Sequence, residues 1–156
     1  MSSPQLHISV QEEDFDCSSL QAELLAHPGE SGAVASFTGC VRGQTQRGRL
    51  HWMELEHYPG MTEQSLRAIA LEAAERWPLQ AVTVVHRVGR LEPGAQIVWV
   101  GCAAAHRGEA FEACEFLMDY LKTRAPFWKR ESGDWGESWV EARQADDLRA
   151  ERWQRE

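Results

Sequence analysis

Apolar residues alternate with polar ones in some segments of the chain and recur every three or four positions in others. The first pattern, together with short continuous apolar runs, is typical of strands, and the second is typical of helices. Strands are predicted at residues 6–10, 32–38, 50–57, 81–88, 96–104 and 135–142, the last as a strand or a hairpin. Helices are predicted at residues 18–26, 62–77, 108–124 and 144–155, with Thr62 as the N-cap of the second.

Turn residues and helix breakers set the boundaries of these elements. Pro59-Gly60 ends the third strand, Pro78 stops the second helix, and Pro126 disfavours helix at Ala125. A polar, glycine-rich loop is expected at residues 39–48. The resulting order, β-α-β-β-α-β-β-α-β-α, favours an α+β fold with a mixed, mostly antiparallel sheet and packed helices.

The size and composition of the chain narrow the class of protein. A chain of 156 residues, 43% hydrophobic and 26% charged, is expected to form a single domain over residues 1–156. A net charge of −8 argues against broad nucleic-acid binding, and the longest apolar run, residues 97–105, is too short to span a bilayer. The N-terminus lacks the pattern of a signal peptide, and four widely separated cysteines suggest a reducing compartment, so a cytoplasmic location is expected.

No metal site and no cofactor are predicted. The spacing of Cys102, His106 and Cys114 matches no standard zinc pattern, and buried apolar cysteines account for it better. Cys40 is a different case, because it lies in the glycine-rich loop beside Arg42 and a nearby cation favours the thiolate. A persulfide-carrying Cys40 is therefore one candidate nucleophile.

Lysine is rare in this chain, which has 14 arginines and only two lysines. Both lie in the segment 119–131, DYLKTRAPFWKRE, where four cations occur without an intervening acid: Lys122, Arg124, Lys129 and Arg130. Such a group can bind a phosphate or a carboxylate, although a solvated helix end has the same composition. Lysine can also lose its proton and act as a base or a nucleophile, which arginine cannot.

The helical wheel places Lys122 beside an apolar stripe. At roughly 100° per residue, Lys122 projects about 20° from Phe111 and about 40° from Met118. The stripe consists of Phe111, Cys114, Met118 and Leu121. Lys122 therefore either extends along this apolar surface into water or lines a partly buried pocket, where desolvation favours the neutral, reactive amine.

Further cations occur at the ends of other elements. His106-Arg107 lies at a predicted strand-to-helix corner, where backbone N–H groups can also bind an anion. Arg42 lies in the glycine-rich loop, as does Arg47. We expect one cation-lined pocket formed by Arg42, His106, Arg107, Lys122 and Lys129.

Five segments, taken in order, resemble the large, catalytic subunit of molybdopterin synthase, the MoaE family. They are residues 32–42 (GAVASFTGCVR), 55–61 (LEHYPGM), 105–107 (AHR), 118–131 (MDYLKTRAPFWKRE) and 139–143 (WVEAR). The resemblance spans residues 32–143, and its fourth segment is long and specific.

The resemblance implies an α+β fold of the hammerhead type and a heterotetramer. In it, two copies of this chain form a central homodimer, and a small ubiquitin-like subunit docks at each end. The C-terminal Gly-Gly tail of that partner carries a thiocarboxylate. As a sulfurtransferase of molybdenum cofactor biosynthesis, the enzyme passes this sulfur to cyclic pyranopterin monophosphate and so forms the dithiolene of molybdopterin.

The resemblance also implies a set of functional positions. The catalytic lysine falls on Lys122 and a second important lysine on Lys129. Arg143 matches an arginine that reaches an active site across the dimer. The remaining substrate contacts fall on Cys40, Val41, Arg42, His106, Arg107, Arg130 and Glu131.

One departure from the family concerns Cys40, since many relatives have lysine at that position. Two other functions therefore stay open. One is a persulfide sulfurtransferase that uses Cys40, and the other is a non-catalytic subunit that only docks the ubiquitin-like partner and positions its tail.

Overall fold

The computed structural model describes residues 3–26, 31–140 and 144–155. Within these ranges the chain forms nine strands and four α-helices. They are β1 (Gln5–Gln11), α1 (Cys17–Leu24), β2 (Ala33–Cys40), β3 (Gln44–Thr45), β4 (Gly48–His57), α2 (Met61–Arg76), β5 (Leu79–Arg87), β6 (Gly89–Leu91), β7 (Gln96–Ala104), α3 (Arg107–Arg124), β8 (Phe127–Gly133), β9 (Gly136–Val140) and α4 (Gln144–Glu151), followed by a 3-10 turn over Arg152–Arg155. No helix in these ranges is both long enough and apolar enough to cross a membrane.

The strands form two sheets. The first has the order β1-β5-β7-β2, with β1 parallel to β5 and the other pairs antiparallel. The second has the order β3-β4-β8-β9, all antiparallel, and β6 pairs with β4 beside it. The predicted α+β class is confirmed, with the mainly antiparallel pairing divided between two sheets.

Alternation along β5 distributes its side chains between the two faces of the first sheet. Val82 and Val84 pack with residues of α2 and α3, whereas Ala81 and Val85 pack with Leu20 and Leu24 of α1 on the opposite face. The next residue on the α2–α3 side is His86, at the end of the strand. A smaller apolar cluster packs at the second sheet and consists of Val41, Leu50, Met53, Leu55 and Leu91.

The structure departs from the sequence predictions at the start of α2, at β8, and at the short strands β3 and β6, which lie in predicted connections. Thr62 does not cap α2: the helix begins after Gly60, whose N–H donates to Glu63 Oε1 (2.8 Å), while the buried Thr62 hydroxyl donates to the Tyr58 carbonyl (2.9 Å). Strand β8 was not expected at all, because the consecutive charges of residues 129–131 obscure its alternation. It pairs with both β4 and β9 and forms the middle of the second sheet.

Candidate active site

A cavity of about 370 Å³ lies where the C-terminal end of α3 meets both sheets. A volume of this size is typical of small-molecule sites. Apolar residues such as Leu55, Ile97 and Leu121 form part of its wall, and polar side chains from six different elements and loops surround them. Of the positions predicted from the sequence, the cavity is lined by Cys40, Val41, Arg42, Lys122, Lys129 and Glu131.

The end of β2 and the loop after it hold three of these residues at the rim of the cavity. Val41 is buried, its N–H donates to the Ala95 carbonyl (2.9 Å), and its own carbonyl accepts from the Gly94 N–H (2.8 Å). Gly94 has a φ of 90°, which glycine adopts most easily. Because Val41 is fixed in this way, its exposed neighbours Cys40 and Arg42 are presented together at the cavity.

Lys122 lies near the C-terminal end of α3, on the wall between two cavities. The apolar stripe beside it is only partly covered: Cys114 and Leu121 are buried, while Phe111 is 66% exposed. Lys122 itself is exposed, and it lines both the 370 Å³ cavity and a second one of about 430 Å³. In the structure, therefore, this lysine lines a pocket as well as extending toward solvent.

Strand alternation separates the three consecutive charges of β8. Lys129 and Glu131 line the cavity, whereas Arg130 lies between them in sequence and does not. Arg130 instead donates to Glu54 Oε1 (2.6 Å), and its guanidinium lies 5.4 Å from the ring centre of Trp52. The predicted contact of Arg130 with substrate has no counterpart in this cavity.

The cationic group at the site is smaller than the sequence suggests and differently composed. Arg124 pairs with Glu72 (3.3 Å) and stacks on Tyr120. Like Arg130, it therefore contacts residues outside the cavity. Lys122 and Lys129 remain at the cavity, and Arg42 joins them from a position 80 residues away in the sequence. Glu131 and Asp146 add two acceptors to the same lining.

His106 and Arg107 lie at the other end of α3. His106 is the exposed N-cap residue of the helix, and Lys122 follows it by 16 residues, which is about 24 Å along a helix. One chain therefore does not bring these five cations into a single pocket, and that expectation is wrong for an isolated copy. The sequence places His106 and Lys122 on one helix but at its opposite ends.

The second cavity, on the other side of Lys122, is lined by β2, α3 and α4. Its apolar residues include Phe37 and Phe111, which are 43% and 66% exposed, together with Met118. Single exposed apolar side chains are common on protein surfaces, but a group of large ones that lines a concavity marks a surface suited to contact with another molecule.

The remaining sequence candidates lie apart from the cavity or outside the described residues. Arg143 lies outside the described residues. Burial raises the pKa of the Cys102 thiol to about 12 and that of Cys114 to about 11, so both thiols stay protonated and unreactive. Across residues 3–26, 31–140 and 144–155, no cluster of three His, Cys, Asp or Glu side chains is arranged to hold a metal ion.

The sequence reasoning missed His86 and Phe127, which both line the cavity. Their rings stack with centroids 3.9 Å apart and planes 17° from parallel, and His86 Nδ1 lies 2.8 Å from the Arg87 carbonyl oxygen. Burial lowers the pKa of His86 to about 4, and the positive charge of Lys122 lowers it further. The available signal was a histidine at an inward position of the apolar run 81–86.

Comparisons with known proteins agree on one family. The model of the family described as MoaE protein matches residues 10–124. The molybdopterin synthase catalytic subunit of Escherichia coli (strain K12) is 57% identical over 129 residues, which cover 83% of this chain and 86% of that one. The solved molybdopterin biosynthesis MoaE protein from Burkholderia ambifaria MC40-6 is 52% identical with a TM-score of 0.83, covering 97% of this chain and 100% of its own.

A more distant structure shares the fold. It comes from Helicobacter pylori 26695 and is a protein–protein complex of subunits 1 and 2 of molybdopterin-converting factor. One of its chains is 20% identical to this one with a TM-score of 0.69, and the match covers 88% of this chain and 91% of that one.

Proposed function

The chain belongs to the MoaE family of molybdopterin synthase catalytic subunits, and from that premise we propose the reaction that it performs. It transfers sulfur from the thiocarboxylated C-terminus of a small ubiquitin-like partner to cyclic pyranopterin monophosphate. The product carries the dithiolene of molybdopterin, an intermediate of molybdenum cofactor biosynthesis.

Three cations from separate parts of the chain line one cavity, and this convergence carries the proposal. Arg42, Lys122 and Lys129 come from a loop, a helix and a strand. The substrate carries a phosphate, and the tail of the partner ends in an anion both before and after it gives up sulfur. Charge-assisted hydrogen bonds from lysine and arginine suit both groups, and the apolar part of the wall suits a pterin ring.

Lys122 is the proposed catalytic residue. A thiocarboxylate that gives up its sulfur returns to a carboxylate only if an oxygen atom from water takes its place on the carbonyl carbon, and negative charge then develops on the carbonyl oxygen. A lysine at this point can act as a base, as a nucleophile toward that carbon, or as a cation that stabilises the charge. Lys129 and Arg42 are then proposed to bind the phosphate of the pterin.

The proposed active unit is a homodimer. A two-fold axis across the middle of α3 would make the two copies of the helix antiparallel, which brings His106 and Arg107 of one copy toward Lys122 of the other. The exposed Phe37 and Phe111, which line the second cavity together with Lys122, support this arrangement, because they would be buried between the copies. Arg143 is proposed to reach the same site across the dimer.

One small ubiquitin-like subunit is proposed to dock on each copy of the chain, which gives a heterotetramer in the cytoplasm. The Helicobacter pylori structure, which is a complex of two subunits, supports such an assembly. In this arrangement the Gly-Gly tail enters the 370 Å³ cavity, where glycine residues can approach the wall closely.

Incubation with a thiocarboxylated small subunit and the pterin precursor tests the proposal. We expect dithiolene product, detected by mass spectrometry, and none with a partner that ends in an ordinary carboxylate. A folded chain that binds the partner but forms no product would contradict the assigned reaction.

A second route to sulfur transfer, in which a separate persulfide donor passes its outer sulfur to the Cys40 thiolate and a thiol reductant later releases that sulfur to the pterin, is favoured by one observation. Cys40 is exposed and lines the same cavity as Lys122. Cys40→Ala separates the two routes, because a persulfide mechanism loses all transfer in this variant. The mechanism proposed above receives its sulfur on the partner and retains activity.

A further inference from the structure

His86 occupies an unusual position in the cavity, since its ring is fixed on two sides. Phe127 stacks on one face at 3.9 Å, and Nδ1 is within hydrogen-bond distance of the Arg87 carbonyl oxygen (2.8 Å). A carbonyl oxygen can only accept, so Nδ1 carries the proton and donates. A neutral imidazole has one N–H, and Nε2 is therefore left with a lone pair.

The surroundings of His86 keep the ring in this neutral form. It is the last inward-facing residue of β5, and its burial is the main cause of its lowered pKa. The hydrogen bond to the Arg87 carbonyl acts in the opposite direction, while Lys122 from α3 and His57 from β4 add to the effect of burial. The cavity is therefore lined by the cations Arg42, Lys122 and Lys129, by the carboxylates of Glu131 and Asp146, and by one uncharged imidazole acceptor, His86.

This combination matches a ligand with an anionic end and a ring that bears N–H groups. Lysine and arginine side chains donate but cannot accept, so they cannot pair with a ring N–H. An unpaired polar group in an apolar pocket is unfavourable, and the neutral acceptor of His86, in a lining that also contains Leu55 and Ile97, removes that penalty.

We propose that His86 is a further substrate-binding residue, whose Nε2 accepts a hydrogen bond from a ring N–H of the pterin. The stack on Phe127 and the bond to the Arg87 carbonyl hold the ring so that this nitrogen serves the ligand. This inference rests on the proposed function, because it assumes that a pterin occupies the cavity. In this arrangement the cations bind the phosphate of the substrate and His86 binds its ring.

Two substitutions at His86 separate hydrogen bonding from packing. His86→Phe retains an aromatic ring that can stack on Phe127 but removes the acceptor. His86→Gln has a side-chain amide whose oxygen can reach the position of Nε2. His51→Phe is the matched control, because His51 lies on β4, contacts Asp134 (3.0 Å) and does not line the cavity. Circular dichroism and binding of the small subunit establish that each variant is folded.

The measurements are the Kd of cyclic pyranopterin monophosphate by calorimetry, and kcat and KM with the thiocarboxylated partner. We expect His86→Phe to weaken pterin binding about tenfold, the effect of one lost hydrogen bond, with KM rising more than kcat falls. His86→Gln should recover most of the affinity, and His51→Phe should resemble the wild type.

Three results would overturn the role of His86: unchanged affinity in His86→Phe, equal losses in the Phe and Gln variants, or a loss of kcat with unchanged Kd. The wild-type protein provides a separate check on the function itself. If it neither binds nor converts the pterin, the proposed reaction fails and the role of His86 falls with it. If the wild type converts the pterin and His86→Phe binds it normally, only the proposed role of His86 is refuted.

Discussion

Asp119 is a buried carboxylate that fastens the C-terminal helix to α3. Its side chain is 7% exposed, and it accepts hydrogen bonds from Trp153 Nε1 (2.7 Å), Arg152 Nη2 (2.8 Å) and Arg149 Nε (3.3 Å). Asp119→Ala removes the acceptor and leaves the buried indole N–H of Trp153 without this partner. We therefore expect a clear loss of stability from this single change.

The size of the loss follows from the exposure of each donor. The bond from the buried Trp153 to a charged acceptor contributes about 1.5–3 kcal/mol. The two arginine side chains are 55% and 42% exposed, so each adds less than about 1 kcal/mol. A decrease of about 3 kcal/mol in the free energy of unfolding corresponds to a Tm lower by roughly 6–12 °C for a chain of this length.

Urea and thermal denaturation followed by circular dichroism measure this effect. Glu115→Gln is the matched control, because Glu115 contacts the same two arginines (2.7 and 2.6 Å) but is 44% exposed. That variant should lose less than about 1 kcal/mol. If Asp119→Ala and Glu115→Gln lower the Tm equally, burial of the carboxylate is not what stabilises this contact, and the reasoning fails.

Three other changes test the site and the assembly. Lys122→Ala should abolish product formation without loss of folding or partner binding, and Lys122→Arg should also be inactive. If Lys122→Arg instead keeps most of the wild-type rate in kinetic assays, Lys122 acts only as an electrostatic anchor. Phe111→Asp should give a monomer by analytical ultracentrifugation and lose activity, and a dimer of unchanged affinity would contradict the proposed interface. Because the pKa of His86 is lowered to about 4, the unfolded chain takes up a proton there below about pH 6.5 while the native chain does not. The free energy of unfolding should therefore fall by about 2 kcal/mol more between pH 7 and 5 in the wild type than in His86→Phe, as measured with urea, and equal slopes would refute the shift.

The regular elements of the fold were readable from periodicity, and the exceptions have physical causes. β7 matches its predicted bounds, and α3 differs by one residue, since both have a long, unambiguous apolar pattern. β8 was missed because Lys129, Arg130 and Glu131 are three consecutive charged residues and show no alternation of apolar and polar positions. The inward side of this strand faces a polar cavity, so its inward residues are charged as well. Its strand character comes from pairing with β4 and β9, which are distant in sequence.

The candidate site was predictable residue by residue but not as an arrangement. Family motifs indicated Arg42, Lys122 and Lys129, and all three line the cavity. Nothing local distinguished the outward Arg130 from its neighbours without knowledge of the strand. His86 escaped attention because a single histidine in an apolar run is also compatible with a purely structural role, and only the tertiary structure places Phe127 and Lys122 beside it.

The length of α3 has a genetic consequence. The helix separates His106 and Arg107 from Lys122 by about 24 Å, so in the proposed dimer each helix contributes to two different active sites. A chain with a defective Lys122 and a chain with a defective Arg107 would then restore one intact site when they assemble together, although each alone is inactive. Two null alleles of this gene, one affecting each end of α3, should complement each other within the same cell.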